Sequence, residues 1–288
     1  MITTEQKIKI AQAIINNRKN FASNAKQAVT LGIHGSILSR IINGETEEIL
    51  SDAKWTGIAR RLNVQLNGAQ AWVTVKTKVF THVYSQLEFC QKYSLSGILC
   101  DVAGVGKTYA AEKYCQANAN AVFVDCSQYK SRQRFVRYMA KELGIDHVGK
   151  YADVYADLVF HVNTIGTVLI VLDEVADLEY AAFLELKALW NATQDSCGWY
   201  MMGADGLEAK MTRNKDAKKV GYAEIFDRFG AKYQRITPHA LADLNDFKRE
   251  LIAQVGKANG IQDLQKLFAK TDGSLRRIKI EVQKLKTA

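Results

Sequence analysis

Along the first 66 residues the apolar positions recur at helical spacing in short runs. Residues 6–15 follow Thr4, a capping residue type, and predict a helix. Residues 23–29 give a second run and residues 34–44 a third, and Gly32 between them can supply a sharp turn. In the third run Ile37, Leu38, Ile41 and Ile42 share one face, which leaves His34, Ser36, Ser39, Arg40 and Asn43 to point outward. Trp55, Ile58, Ala59 and Leu62 predict a closing helix. Residues 67–80 read as a connector, and 79–93 as a helix packing Phe80, Val83, Tyr84, Leu87 and Cys90 inward.

Past residue 95 the pattern changes. Short apolar strands at 96–100, 121–125, 168–172, 199–202 and 233–236 alternate with helices at 108–117, 134–143, 154–162 and 181–193. Residues 168–172 are apolar throughout, as expected of a strand covered on both faces. Such alternation predicts an α/β fold with a parallel sheet and helices on both sides. After Pro238 the strands stop, and residues 239–288 read as a small helical unit. The expected division is therefore 1–66, 67–238 and 239–288.

Candidate chemistry falls where strands end. Gly104-Val105-Gly106-Lys107-Thr108 matches the end of the phosphate-loop pattern GxxxxGK[ST], placed between a strand and a helix. Glycines let backbone N–H groups curl around phosphates, Lys107 reaches the β- and γ-phosphates, and the Thr108 hydroxyl suits Mg²⁺. Asp101 departs from the pattern, which has glycine there; a carboxylate beside polyphosphate is unfavourable unless it points away. The strand at 168–172 runs into Asp173-Glu174, putting two carboxylates at the sheet edge beside the loop. Asp173 can organise Mg²⁺ and Glu174 can polarise an attacking water. Together these features predict a P-loop protein that binds ATP with Mg²⁺.

Composition adds a partner and removes some classes. Hydrophobic residues make up 48% of the 288, enough to bury a core. The formal charge of +9 favours a polyanion partner, nucleic acid before membrane. The first residues lack an apolar signal segment and no apolar run reaches membrane-spanning length, so a cytoplasmic protein without membrane contact is expected. Five cysteines without CxxC spacing read as reduced, buried thiols. The run of residues 23–44 resembles a helix-turn-helix of the phage-repressor type, in which His34, Ser36, Ser39 and Arg40 would touch DNA. Basic loops at 129–134 and 210–219 are candidates for phosphate contacts.

Asp173-Glu174 with a helical tail resembles the AAA+ ATPases. Across nearly its full length the chain resembles the B transposition proteins of the bacteriophage Mu type, ATP-dependent selectors of target DNA. The likeness rests on the N-terminal module, residues 104–108, Leu172-Asp173-Glu174, Met202-Gly203, Ile225-Phe226-Asp227-Arg228-Phe229 and Gly273-Ser274-Leu275-Arg276. It implies an AAA+ P-loop ATPase core, an N-terminal helix-turn-helix domain and a C-terminal helical lid. It implies that Arg228 is an arginine finger reaching a neighbouring subunit's nucleotide, and that Arg276 is the lid arginine on phosphate. It also implies that Tyr129, Lys130 and Arg132 face double-stranded DNA in a filament or ring, and that a transposase is the partner. Ala204 stands where the family has a polar sensor, so either Asp205 substitutes or hydrolysis is slow. Two other readings stay open: an ATP-switched, sequence-specific regulator, and a helicase-loader-type ATPase.

Overall fold

The computed structural model describes residues 2–62, 64, 66 and 72–287. The N-terminal block holds α1 (Thr4–Asn17), α2 (Asn24–Leu31), α3 (Gly35–Ile42) and α4 (Asp52–Arg61). The cap of α1 is Thr3, one residue earlier than the pattern suggests. Thr3 Oγ1 accepts from Gln6 N at 3.3 Å while Gln6 Oε1 accepts from Thr3 N at 3.0 Å, which satisfies two helix-end donors reciprocally. Gly32 at φ 68° turns α2 into α3. Leu38 and Ile41 are buried with Ile10, Ile14, Trp55 and Ile58 in a core of their own. Ile37 is half-buried and Ile42 exposed, so the inward face of α3 is narrower than the four apolar residues suggest. This short helix packs chiefly on α1 and α2, which cover only part of its circumference.

The central block runs α5 (Lys78–Tyr93), β1 (Ser96–Cys100), α6 (Lys107–Ala117), β2 (Ala121–Asp125), α7 (Arg132–Glu142), α8 (Tyr151–Ile165), β3 (Val168–Asp173), α9 (Tyr180–Thr193), β4 (Cys197–Gly203), α10 (Asp205–Asp216), α11 (Tyr222–Arg228) and β5 (Tyr233–Gln234). The five strands are all parallel, in the order β2-β3-β4-β1-β5. Strand alternation sorts the core into two layers. Ile98, Cys100, Ile170, Leu172, Trp199 and Met201 face α7 to α11. Leu99, Leu169, Val171, Tyr200 and Met202 face α5 and α6. Both faces are covered, which is why β3 reads as an unbroken apolar run.

Three elements differ from the sequence reading. β5 has two residues because it is an edge strand paired only with Ile98 and Leu99 of β1. α7 begins at Arg132, so the basic stretch after β2 is part loop and part helix. α10 runs through most of the segment read as a basic loop, 210–219. Only Leu207 and Met211 of α10 are buried, so its apolar period is too thin to show in the sequence.

After Pro238 come α12 (Leu241–Ala258), α13 (Leu264–Thr271) and α14 (Leu275–Thr287). Ile252, Val255, Leu267, Ile278 and Val282 form their core, joined by Trp72 and Val75 from the connector. Residues 67–71 of that connector lie outside the described residues. Its continuation is tied to the C-terminal helices: Val73 N donates to Asn259 Oδ1 at 3.0 Å and Asn259 Nδ2 donates to Val73 O at 3.2 Å. All five cysteines are buried and unbridged. Among the described residues no helix is long and apolar enough to cross a membrane.

The packing of α5 on β4 depends on the absence of a side chain at Gly198. A Cβ there would stand 2.7 Å from the Cys90 carbonyl carbon, and backbone cannot yield as a side-chain tip can. Gly198→Ala is expected to destabilise the fold by about 1–3 kcal/mol or more, measured as a lower urea midpoint at unchanged slope.

Candidate functional site

Buried Ile98, Leu99 and Cys100 anchor β1 in the sheet, and the chain leaves its carboxyl end at Asp101. Asp101 is fully buried. Its carboxylate accepts from Val102 N at 2.8 Å, Ile236 N at 2.7 Å, Thr237 N at 3.0 Å and the Thr237 hydroxyl. The side chain therefore turns away from the phosphate loop and grips the segment that follows β5. The pattern's missing glycine is replaced by a structural bolt, and the loop is left free of a repelling carboxylate.

The loop itself is open backbone. Gly104 and Gly106 have φ of 80° and 102°, a region that favours glycine. Side chains there would fill the cradle: a Cβ at 104 would lie 2.8 Å from Ser274 Oγ, and one at 106 would lie 3.2 Å from Leu275 Cδ1. α6 starts at Lys107, so unpaired N–H groups and the positive helix end point into the loop. Lys107 is 7% exposed and burial pulls its ammonium below the usual lysine range. Its Nζ donates to the carbonyl oxygens of Asp101 at 2.7 Å and Val102 at 2.8 Å. Nearby carboxylates, Asp101 and Asp173 foremost, oppose the effect of burial, but the direct partners are neutral carbonyls that an incoming phosphate would replace.

β3 delivers the carboxylates. Thr108 Oγ1 donates to Asp173 Oδ2 at 2.6 Å, and Glu174 N donates to Asp173 Oδ1 at 3.1 Å. Asp173 is 4% exposed, and burial raises its carboxyl above the usual range against the lowering effect of the Thr108 bond. Glu174 is exposed and sits at φ 52°, so the chain turns sharply at the strand end and presents its side chain to the cavity. Among the described residues no group of three or more His, Cys, Asp or Glu side chains forms a metal cage. A hydroxyl beside one carboxylate is instead a donor set that fits Mg²⁺ completed by phosphate and water oxygens.

These groups line a cavity of about 610 Å³. Its far wall comes from the C-terminal helices, including Leu275, Arg276 and Lys279, and from Trp72, Thr74 and Val75 of the connector. Leu275 N donates to Gly104 O at 2.8 Å, so α14 is joined to the loop through backbone. Thr74 Oγ1 lies 2.5 Å from the Tyr109 hydroxyl across the same wall. Sequence reasoning missed Trp72, Thr74 and Lys279; the aromatic Trp72 within a polar connector was the available signal. A second cavity of about 400 Å³ lies between the N-terminal helices and the core. Glu112 and Gln116 of α6 line both, but the glycine cradle and the Asp173 pair belong to the larger one.

The structure brings together Gly104, Gly106, Lys107, Thr108, Asp173, Glu174 and Arg276. Val105 is a buried anchor beneath the loop. Ala204 also lines the cavity, whereas Asp205 is engaged by Arg235 Nη1 at 3.0 Å. Arg228 lies elsewhere. Its guanidinium rests 5.4 Å from the Trp190 ring, and Trp190 Nε1 donates to Ser96 Oγ at 2.9 Å. Ser96 opens β1, so Arg228 sits at the sheet end opposite the loop, with Nη1 buried and unpaired.

The basic groups form other surfaces. Tyr129 stacks on Tyr138 at 3.8 Å, Lys130 pairs with Asp177 at 3.1 Å, and Arg132 lies 5.1 Å from the Tyr151 ring. In the N-terminal block His34, Ser36, Ser39 and Arg40 are exposed as expected. His34 is the cap of α3, with Nδ1 2.8 Å from Ser36 Oγ, and Arg40 Nε pairs with Glu45 at 2.7 Å.

Residues 91–211 match the AAA domain family. Together with the parallel five-stranded sheet, this match fits an α/β P-loop ATPase fold for the central block. The DNA transposition protein B of the Mu-like prophage FluMu of Haemophilus influenzae is 24% identical over 207 residues, 70% of each chain. The ATP-dependent target DNA activator B of Escherichia phage Mu and that of Escherichia phage D108 are each 25% identical over 205 residues. Those matches cover 70% of this chain and 62% of the phage proteins.

Restoring the pattern's glycine is expected to harm the protein. Asp101→Gly strips acceptors from the Ile236 and Thr237 backbone donors and should cost about 2–4 kcal/mol of stability. Urea unfolding reads this directly, and an unchanged midpoint would show that water satisfies those donors.

Proposed function

We propose that this chain is an ATPase of DNA transposition that binds ATP with Mg²⁺, assembles on duplex target DNA and activates a transposase. One observation carries the reading. The phosphate loop, Asp173, Glu174 and Arg276 converge on one cavity, in a chain similar over 70% of its length to proteins named transposition protein B and ATP-dependent target DNA activator B.

In this reading the three blocks are an N-terminal helix-turn-helix domain, an AAA+ core and a C-terminal lid. Gly104, Val105 and Gly106 shape the loop, and Lys107 leaves its carbonyl partners for the β- and γ-phosphates. Thr108 and Asp173 would hold Mg²⁺, whose charge would offset that of the phosphates. Glu174 orients and polarises the water that attacks the γ-phosphorus as the bond to the ADP oxygen breaks. Arg276 contacts phosphate from the lid. Ala204 offers no side-chain hydrogen bond to the γ-phosphate or the water, which favours slow turnover and a long ATP-bound state. Arg228 is an arginine finger acting in trans: it is far from its own subunit's loop and carries an unpaired donor.

DNA is held by phosphate contacts from Tyr129, Lys130 and Arg132, which give affinity without sequence choice. His34, Ser36, Ser39 and Arg40 add contacts from the N-terminal helices. The assembly is a helical filament or ring of identical subunits in the cytoplasm of a host cell. The exposed polar edge of α3 supports a second reading, an ATP-switched regulator with a preferred operator. Footprinting separates the two, since uniform protection belongs to the first.

Imaging of the protein with and without ATP and DNA is expected to show filaments or rings only when both are present; monomers under that condition would sink the proposal. Glu174→Gln is expected to trap the ATP- and DNA-bound assembly, read as slower DNA release than wild type. Arg228→Ala is expected to cut turnover by about 10³-fold or more while ATP binding is kept. Loss of nucleotide binding in that variant would make Arg228 structural.

A further inference from the structure

Glu174 is followed by a single tight turn, Val175–Asp177. Asp177 N donates to Glu174 O at 2.9 Å and Leu178 N donates to Val175 O at 3.1 Å. Val175 and Leu178 are buried and anchor the turn in the core. The residues between them are held from outside by the two basic segments. Lys130 Nζ pairs with Asp177 Oδ2 at 3.1 Å, and Glu179 N donates to Lys130 O at 3.1 Å. From α10, Lys210 Nζ donates to Ala176 O at 2.5 Å. The loop after β2 and the helix after β4 thus converge on Ala176, Asp177 and Glu179, in and just after the turn beside Glu174. Nothing in the sequence spacing connects them.

The outer tie is built to be exchanged. Lys130 is 49% exposed and Asp177 is 43% exposed, so their pair is screened by solvent and salt. Arg132 and Arg134 lie exposed beside Lys130 and extend the positive surface. A phosphate backbone approaching that surface offers Lys130 a competing anion, and release of Asp177 frees the turn that sets Glu174.

We propose that Asp177 is a positioning residue for Glu174: its pair with Lys130 restrains the turn without DNA, and DNA phosphate displaces the pair to permit hydrolysis. This rests on the reading of the chain as a DNA-binding ATPase and adds how DNA occupancy reaches the ATP site.

The test measures DNA-free and DNA-saturated turnover, KM for ATP and DNA affinity across salt, in full-length wild type, Asp177→Asn, Asp177→Glu and Lys130→Gln. Asp177→Asn and Lys130→Gln should both raise DNA-free turnover severalfold, towards the DNA-saturated rate, at unchanged KM. Their effects on DNA should be opposite. Asp177→Asn removes the internal competitor and tightens binding. Lys130→Gln removes a phosphate contact, weakens binding and lowers the salt slope by about 0.9. Asp177→Glu should restore restraint and stimulation. Loss of folding or general damage would not produce opposed affinities with a shared rise in basal rate. Wild-type DNA-free turnover in both Asp177→Asn and Lys130→Gln, with stimulation intact, would overturn the tether alone. Wild-type protein whose turnover ignores DNA would overturn both the tether and the function it rests on.

Discussion

The architecture of the site hangs on one buried carboxylate. Asp101 accepts four hydrogen bonds, about as many as an ionised carboxylate has lone-pair sites to offer. Three of those donors belong to Ile236 and Thr237, which lead out of the sheet into α12. The phosphate loop starts from the same residue. A single side chain therefore fixes the start of the loop and the root of the C-terminal helices, the two walls between which the cavity forms. Charge burial is tolerable here because every acceptor is used and because Lys107 Nζ binds the Asp101 carbonyl oxygen. The carboxylate departs from the loop pattern in identity only, because it is aimed at the far side of the strand end.

From that root the far wall returns to the loop. Leu275 N closes onto Gly104 O, and Leu251 of α12 packs in the core layer under α5 and α6. Trp72 and Val75 pack with the C-terminal helices although they precede α5 in sequence. Nucleotide entering the cavity would thus touch three separated stretches of chain at once. Lys107 is well prepared for this. Held by carbonyl oxygens and not by a carboxylate, it can move to phosphate without breaking a buried ion pair.

How much of this was legible depended on whether the cause was local. β1 and β2 match their expected limits, and β3 misses by one residue, because doubly covered strands must be apolar runs. The phosphate loop and Asp173-Glu174 were legible because strand ends and glycines mark them. α10 was not, since two buried residues cannot announce a helix. The fate of Asp101 was only half legible: that it must point away follows from electrostatics, but Thr237 follows the neighbouring strand β5, far along the chain, and no local pattern names it. Lys279 and the Lys130–Asp177 pair were hidden for the same reason, being contacts between stretches far apart in sequence. His34 read as an outward residue of a helix and proved to be its cap, a shift of one position that sequence seldom resolves.

The two ends of the sheet carry complementary halves of the proposed chemistry. At the carboxyl end stand the loop, the Mg²⁺ donors and Glu174, beside an Ala204 that adds no polar group. At the amino end stands Arg228, its guanidinium parked on Trp190 with one donor unpaired. Under the proposed function such subunits would stack head to tail, each Arg228 leaving Trp190 to reach the next cavity. Such an interface would be heterologous, closing into a ring or continuing as a helix according to the rotation per subunit. Under the proposed function DNA would run along the stack past Lys130, whose tie to Asp177 lies beside each Glu174. Hydrolysis would then depend on two things that a lone subunit lacks, a neighbour for Arg228 and a phosphate for Lys130.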